Sequence, residues 1–154
     1  MLILFFIISL SNAIDPTIFN KLRIYQVMVS SFQDGDPKIG YCTGYGPSHH
    51  CGDLRGIINA LDYIKDLGMN AIWMTPVFNS NGTSQLDSTG YYAYDYFNVD
   101  PKFGTNDDLR ELINKAHEKN LYIFLDGVFG HHKEGNIVPS PSGKLPEGGS
   151  NPVS

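Results

Sequence analysis

Three short apolar segments, separated by two longer amphipathic segments, constrain the fold of this chain more than any other feature of its sequence. The apolar segments lie at residues 23–29, 70–77 and 121–126, and their β-branched and aromatic residues predict strands. The amphipathic segments predict helices at residues 54–67 and 107–119. Because near-continuous apolar strands joined by helices run parallel with right-handed crossovers, the predicted fold class is α/β with a parallel sheet.

Capping residues support both helices. Asp53 is the predicted N-cap of the first helix, and Gly68 ends it. Either Thr105 or Asn106 caps the second helix, and Asn120 ends it. The residues expected to face the core are Leu54, Ile57, Ile58, Leu61, Ile64 and Leu67 in the first helix and Leu109, Leu112, Ile113 and Ala116 in the second.

The remaining segments are predicted to be irregular. Residues 30–51 and 78–104 form long loops, the second of which contains an aromatic cluster, and residues 134–154 are rich in Pro, Gly and Ser. Polar and aromatic residues follow the carboxyl ends of the predicted strands, where parallel α/β folds place their sites. Since an eight-stranded barrel typically needs about 250 residues, this 154-residue chain predicts either a small open sheet or an incomplete barrel.

The charge of the chain disfavours nucleic acid and anionic lipid as partners. The formal net charge is −5, and no cluster of Lys and Arg could track a row of phosphates. A neutral sugar polymer remains compatible with this charge.

Several features together predict a secreted protein. Residues 2–10 are apolar but shorter than the roughly 20 residues that span a bilayer, so residues 1–13 are a predicted signal peptide. A buried strand or a mis-assigned start are the alternatives. Cys42 and Cys51, the only cysteines, are close enough in sequence to form a disulfide, although free thiols are also compatible. Asn81 begins a glycosylation sequon.

Five segments, taken in their order and spacing, resemble one family. They are residues 52–57, 67–77, 90–96, 100–105 and 125–131. Together they resemble the first helix, the second strand, the aromatic stretch, the lead into the second helix and the third-strand signature of the α-amylase family of glycoside hydrolases.

The resemblance implies a (β/α)8 TIM barrel that cleaves α-glucosidic bonds of starch-like or glycogen-like glucans with retention, by means of two carboxylates. The family carries both on later strands, and no part of this chain matches those segments. We therefore expect residues 14–133 to be the N-terminal part of the catalytic domain, about three β/α units, and residues 134–154 to begin an insertion after the third strand. Such a fragment is expected to be inactive alone, poorly stable and prone to association, because three parallel strands leave an open sheet edge and an unclosed apolar inner face.

Two other classes of function compete with this interpretation. A non-catalytic truncated product, or a relative retained for carbohydrate binding, fits the missing carboxylates. An unrelated three-stranded α/β binding domain fits the element order but not the joint spacing of the five segments.

The family's substrate-binding residues transfer to four positions. Asp126 matches the signature Asp that braces the active site, and His131 matches the His that hydrogen-bonds the sugar. Tyr94 is the predicted platform for a sugar ring, and Tyr92 holds a second sugar-contacting position; Tyr91 is the alternative platform. Each residue also has a purely structural interpretation. Asp126 could cap a loop, His131 could be a hydrogen-bonded loop histidine, and the tyrosines could pack in the core. The expected partner is an α-glucan or maltooligosaccharide.

The resemblance also suggests a calcium site. Asp34, Asp36 and Asp53 resemble the calcium ligands of bacterial relatives, in which a disulfide spans the same loop, as Cys42 and Cys51 would here. An Asp-Gly turn and an ordinary helix cap explain the same three residues. The family has a second, main structural calcium site, which is usually ligated by an Asn. Gly130 stands at that position here, so this second calcium site is not expected. A zinc site is not expected, because no fourth ligand is suitably spaced from His49, His50 and Cys51.

Overall fold

A computed structural model describes residues 16–42, 50–128, 130–135, 137–139 and 151–152. The predicted signal peptide and His49 lie outside the described residues. The described elements are, in chain order, a 3-10 helix at Pro16–Lys21, β1 (Ile24–Val27), α1 (Val29–Phe32), α2 (Leu54–Asn59), α3 (Leu61–Asp66), β2 (Ala71–Met74), β3 (Phe78–Asn79), a 3-10 helix at Asp87–Thr89, β4 (Asp95–Val99), α4 (Asn106–Glu118), β5 (Tyr122–Leu125), β6 (His131–His132) and β7 (Asn151–Pro152). Within these ranges no helix has the length and apolar character that crossing a membrane requires.

A three-stranded parallel sheet in the order β1-β2-β5 forms the centre of the fold. β2 pairs in parallel with β1 on one side and with β5 on the other, from Ala71 at its start to Met74 at its end. The prediction of a parallel α/β sheet is therefore confirmed. Among the described strands, β1 and β5 are the two edges of this sheet, and each has one neighbour.

The two faces of the sheet are in different environments. Ile72 and Met74 are fully buried beneath the helices, and Val27 is almost so. On the opposite face, Ile24 and Trp73 are exposed, with 45% and 40% of their surface accessible. Because parallel sheets normally have both faces covered, this apolar face is the surface from which the predicted association would arise.

The first predicted helix exists but is divided. Ala60 interrupts it between α2 and α3, with φ −94° and ψ 1°, and donates its N–H to the carbonyls of Gly56 and Ile57. Asp53 is the N-cap, as predicted, and Gly68 ends the second segment with a positive φ. The prediction that Leu67 faces the core is wrong: it is exposed because it is the C-cap residue, where the chain already turns towards β2. The other five predicted core residues of this helix are buried.

Two further sequence predictions need correction. Val29, predicted to end the first strand, begins α1, where its N–H donates to the Thr75 hydroxyl 3.1 Å away. The loop predicted at residues 78–104 contains a short antiparallel pair, β3 and β4, with an irregular register. Strands of two and five residues, one of them bulged, are too short to leave a period-2 pattern.

The second predicted helix matches α4 within one residue. Thr105 is the N-cap, and its hydroxyl and backbone exchange hydrogen bonds with Asp108 in a capping box. Leu112 and Ala116 are fully buried, whereas Leu109 and Ile113 are partly buried. This helix precedes β5, which lies alongside β2 with Tyr122 opposite Ala71.

An ion-pair network links side chains of α2 and α4. The Arg55 guanidinium donates to both carboxylate oxygens of Glu111, at 2.8 Å each, and to Asp108 at 2.5 Å. Lys115 reaches Glu111 from the next turn, at 2.8 Å. The hydrogen bonds from Arg55, and then those from Lys115, lower the pKa of Glu111 from 4.5 to about 2. The bidentate geometry favours the ionised carboxylate.

The stabilisation that this network provides is expected to disappear in acid. A depressed carboxylate pKa contributes stability above the unfolded pKa, and the contribution is lost as pH falls through the folded pKa. We therefore expect the Arg55→Met variant to have a lower Tm than the wild type above pH 4.5, and the difference to shrink towards pH 2. Thermal unfolding at several pH values measures this, and Arg110→Met, which removes only the exposed pair with Asp107, is the control. A Tm difference that is the same at pH 2 and pH 7 would contradict the assignment.

Candidate functional site

The first site residue, Asp126, lies at the carboxyl ends of β2 and β5. Thr75 and Asp126 directly follow these two strands, and the Asp126 N–H donates to the Met74 carbonyl at 3.1 Å. The Asp126 carboxylate therefore lies at the carboxyl edge of the parallel sheet, where α/β folds place their sites.

A tight turn positions Tyr91 beside this edge. The 3-10 helix at Asp87–Thr89 ends at Gly90, whose φ of 80° and close approach to the Pro76 carbonyl leave no room for a Cβ. The following Tyr91 hydroxyl donates to Asp126 Oδ2 at 2.6 Å. Burial, together with this hydrogen bond, raises the pKa of Tyr91 to about 12. Tyr91 is therefore a neutral phenol at neutral pH.

His131 joins the same cluster through its ring and its backbone. Its Nε2 lies 2.9 Å from the Tyr91 carbonyl, which can only accept, so Nε2 carries the proton of this hydrogen bond. The Tyr92 ring centroid is 5.9 Å from that of His131. The Tyr96 hydroxyl donates to the carbonyl of His131 at 2.8 Å and to that of Val128 at 3.1 Å. These contacts fix the imidazole and leave Nδ1 as its second polar atom.

The structure thus joins three of the four predicted sugar-binding residues, and adds Tyr91. Tyr92, Asp126 and His131 meet around Tyr91. The contacts of Tyr94 are elsewhere: its N–H donates to Asn79 at 2.8 Å, and its carbonyl accepts from Val138 at 2.9 Å. Tyr91 contacts the cluster through its hydroxyl, whereas these hydrogen bonds of Tyr94 are made by its backbone, and which ring is the sugar platform stays a prediction.

One of the predicted calcium ligands, Asp53, is fully engaged in other contacts. The fully buried Asp53 carboxylate accepts from the N–H groups of Gly56 at 2.7 Å, Asp36 at 2.8 Å and Gly35 at 3.1 Å. Amide hydrogens directed at these oxygens suit a helix cap better than a cation ligand, because Ca²⁺ needs several free oxygens. Within the parts of the chain that the structure describes, no group of three or more His, Cys, Asp or Glu side chains could hold a metal ion. Calcium at Asp34, Asp36 and Asp53 stays a prediction.

The remaining predicted features lie away from the cluster. Cys42 and Cys51 form a disulfide, with their Cα atoms 4.4 Å apart. Asn81 is exposed, with a φ of 51°, and its glycosylation stays a prediction. Gly130 is exposed, and a Cβ there would meet open space.

Sequence reasoning missed a buried network that links distant segments of the chain. Asp100 accepts hydrogen bonds from the Tyr41 hydroxyl at 2.8 Å and from the N–H and hydroxyl of Ser80 at 2.9 Å each. All three residues are buried, and burial is the main cause of the raised pKa of Tyr41. No local pattern identifies this network, because its members are 20 to 59 residues apart. It ties the disulfide-bonded loop to β3.

Comparisons with family models, solved structures and curated proteins all match the same family. A model described as the alpha-amylase catalytic domain matches residues 26–138. The solved structure of AmyP in complex with maltose is 61% identical, with a TM-score of 0.81, and the match covers 90% of this chain and 29% of AmyP. A variant of AmyP has also been solved in complex with maltotriose, with a TM-score of 0.80.

Curated relatives agree with this match. Beta/alpha-amylase of Paenibacillus polymyxa is 40% identical over 133 residues, which cover 80% of this chain and 11% of that protein. Cyclomaltodextrinase of Thermoanaerobacter pseudethanolicus is 40% identical over 123 residues, which cover 75% of this chain and 21% of that protein. The chain thus spans less than a third of the length of each of these relatives.

Proposed function

The chain belongs to the α-amylase family of glycoside hydrolases, and we propose that its described site binds one glucose unit of an α-linked glucan. The sheet and helices are part of a (β/α)8 barrel, incomplete in these residues. The observation that carries the proposal is the contact cluster of Tyr91, Asp126 and His131 at the carboxyl ends of β2 and β5. Barrels of this kind place their active sites at that end.

The cluster offers the groups that a pyranose needs. The Tyr91 ring can pack against the C–H face of a sugar, while its hydroxyl holds the Asp126 carboxylate in place. His131 can direct Nδ1 at a sugar hydroxyl, because its Nε2 is engaged by the Tyr91 carbonyl. Tyr92 flanks the imidazole and adds apolar surface. In this arrangement Asp126 accepts hydrogen bonds and orients its neighbours.

We do not assign bond cleavage to these residues. A retaining glycosidase needs two carboxyl groups about 5–5.5 Å apart, one of them free to attack the sugar. The Asp126 carboxylate is occupied by Tyr91. The other buried carboxylates of the described chain each accept hydrogen bonds from groups of the protein itself; they are Asp53, Asp87, Asp95 and Asp100. We therefore propose that these 154 residues bind the glucan, and that cleavage requires carboxylates other than these.

Maltooligosaccharides are the proposed ligands. AmyP has been solved with maltose and with maltotriose, and the curated relatives include a beta/alpha-amylase and a cyclomaltodextrinase. Secretion, a signal peptide at residues 1–13 and a calcium site are further proposals for the chain and rest on its sequence.

The expected result is binding of maltotriose without turnover. Isothermal titration of the monomeric chain should show saturable binding of maltotriose but not of cellotriose, its β-linked counterpart, and no reducing sugar should appear on long incubation. Asp126→Ala is expected to weaken binding about tenfold or more, since it removes a charged hydrogen-bond partner of Tyr91. Equal binding of the two trisaccharides would contradict the proposal, and release of glucose or maltose would contradict the assignment of cleavage to other carboxylates.

A further inference from the structure

An ion pair outside the cluster joins the same two segments that carry it. Lys133 Nζ donates to Asp87 Oδ1 at 2.7 Å, although the two residues are 46 positions apart. Asp87 begins the 3-10 helix that leads into Tyr91, and Lys133 lies two residues after His131. The pair therefore spans from the segment before Tyr91 to the segment after His131.

The Asp87 end of this pair is built into the fold. Its side chain is only 5% exposed, and Oδ2 accepts from the hydroxyl and N–H of Ser84, at 2.6 and 2.9 Å. Gly82 passes so close that a Cβ there would collide with both Asp87 Oδ2 and Lys133 Nζ. Burial alone would raise the pKa of Asp87, but the hydrogen bonds from Lys133 and Ser84 outweigh it and the pKa is lowered. A buried carboxylate of this kind needs its cation.

Three polar contacts connect the two segments in a row. The His131 imidazole contacts the Tyr91 carbonyl, the Lys133 N–H donates to the Ala93 carbonyl at 2.9 Å, and the Lys133 ammonium contacts Asp87. The first belongs to the proposed sugar site itself. The ion pair is the contact made by two side chains that the proposed site does not use, and Lys133 is 31% exposed. Its removal should therefore leave the sugar-contacting groups chemically intact.

We propose that Asp87 and Lys133 are positioning residues, and that their ion pair sets the distance between Tyr91 and His131 at which both contact one sugar. This inference rests on the proposed glucan-binding function. The pair acts through the backbone: Lys133 fixes the segment that carries His131, while Asp87 and Ser84 fix the turn that presents Tyr91. Without the charge of Lys133, the buried carboxylate would have to leave its position or take a proton, and either change displaces that turn.

The test compares Lys133→Met with Lys119→Met. Both variants keep an apolar stem and lose an ion pair, but the pair of Lys119 with Asp62 lies on the helices, away from the site. Lys133→Met is expected to lower the affinity for maltotriose about tenfold, and Lys119→Met less than about twofold. Hydrogen exchange should speed up at residues 87–93 and 131–133 in Lys133→Met only. Lys133→Arg, which restores the charge, should recover most of the affinity.

The two measurements separate the possible failures. Unchanged affinity and exchange in Lys133→Met would overturn the inference. A loss of affinity that Lys133→Arg does not recover, with a matching fall in Tm, would reduce the pair to a structural role and also overturn it. If the wild type does not bind maltotriose, the proposed function fails, whereas faster exchange confined to the two segments would still support the positioning role. Should Lys133→Met not fold, Asp87→Asn, which keeps the side-chain volume, is subjected to the same measurements.

Discussion

Replacing Asp53 by alanine is expected to lower the free energy of unfolding by about 3–5 kcal/mol, enough to unfold much of a marginally stable chain. The carboxylate is fully buried and accepts from the N–H groups of Gly35, Asp36 and Gly56. Its removal leaves three donors without their acceptor, each costing about 1–3 kcal/mol if it stays buried, and deletes the N-cap of α2. Asp53 therefore joins the turn after α1 to the start of α2.

Urea denaturation of Asp53→Ala measures this effect, with Asp34→Ala as the control. Asp34 belongs to the same predicted calcium group but is exposed, so its removal should change the free energy of unfolding by less than about 0.5 kcal/mol. Calcium titration separates the two roles: a carboxylate that serves only as a helix cap needs no cation, and in that case added calcium leaves the Tm unchanged. A calcium-dependent rise in Tm that both Asp34→Ala and Asp53→Ala abolish would instead support the predicted metal site.

Asp53 also shows what local sequence can predict. An acidic residue before an apolar pattern with helical spacing predicts a cap, and the structure has that cap and that helix. The three parallel strands follow from their short, continuous apolar runs in the same way. The prediction that Leu67 faces the core is wrong because helical periodicity does not show where the last turn ends. Gly68, which ends the helix, lies only one residue beyond Leu67.

Contacts between distant segments could not be predicted by such patterns. The Asp87–Lys133 pair and the Asp100 network depend on how loops pack after the sheet has formed. A lone Lys in a polar segment, or an Asp in a loop, has the same local sequence whether it is buried and paired or free in solvent. The resemblance to a family helps only where family motifs exist, and Lys133 lies outside the matching segments.

The aromatic cluster is the case in which the sequence left two answers open. Tyr91, Tyr92, Tyr94 and Tyr96 occur within six residues, so composition and spacing cannot decide which ring faces the site. The turn at Gly90, which packs closely against Pro76, adds an observation that the sequence does not contain. It directs the Tyr91 hydroxyl to Asp126, whereas the backbone of Tyr94 is bonded to Asn79 and Val138.

If Tyr91 is the sugar platform, as we propose, Tyr91→Ala is expected to weaken maltotriose binding about tenfold or more, because it removes both the ring and the group that holds Asp126. Tyr94→Ala is the matched control and should change the dissociation constant by less than about twofold. Tyr91→Phe keeps the ring and loses only the hydroxyl, so its dissociation constant should lie between those of the wild type and Tyr91→Ala. All three are measured by isothermal titration, with the Tm confirming that each variant is folded. If Tyr94→Ala loses binding while Tyr91→Ala retains it, Tyr94 is the platform, and the contact between Tyr91 and Asp126 serves only to hold the turn.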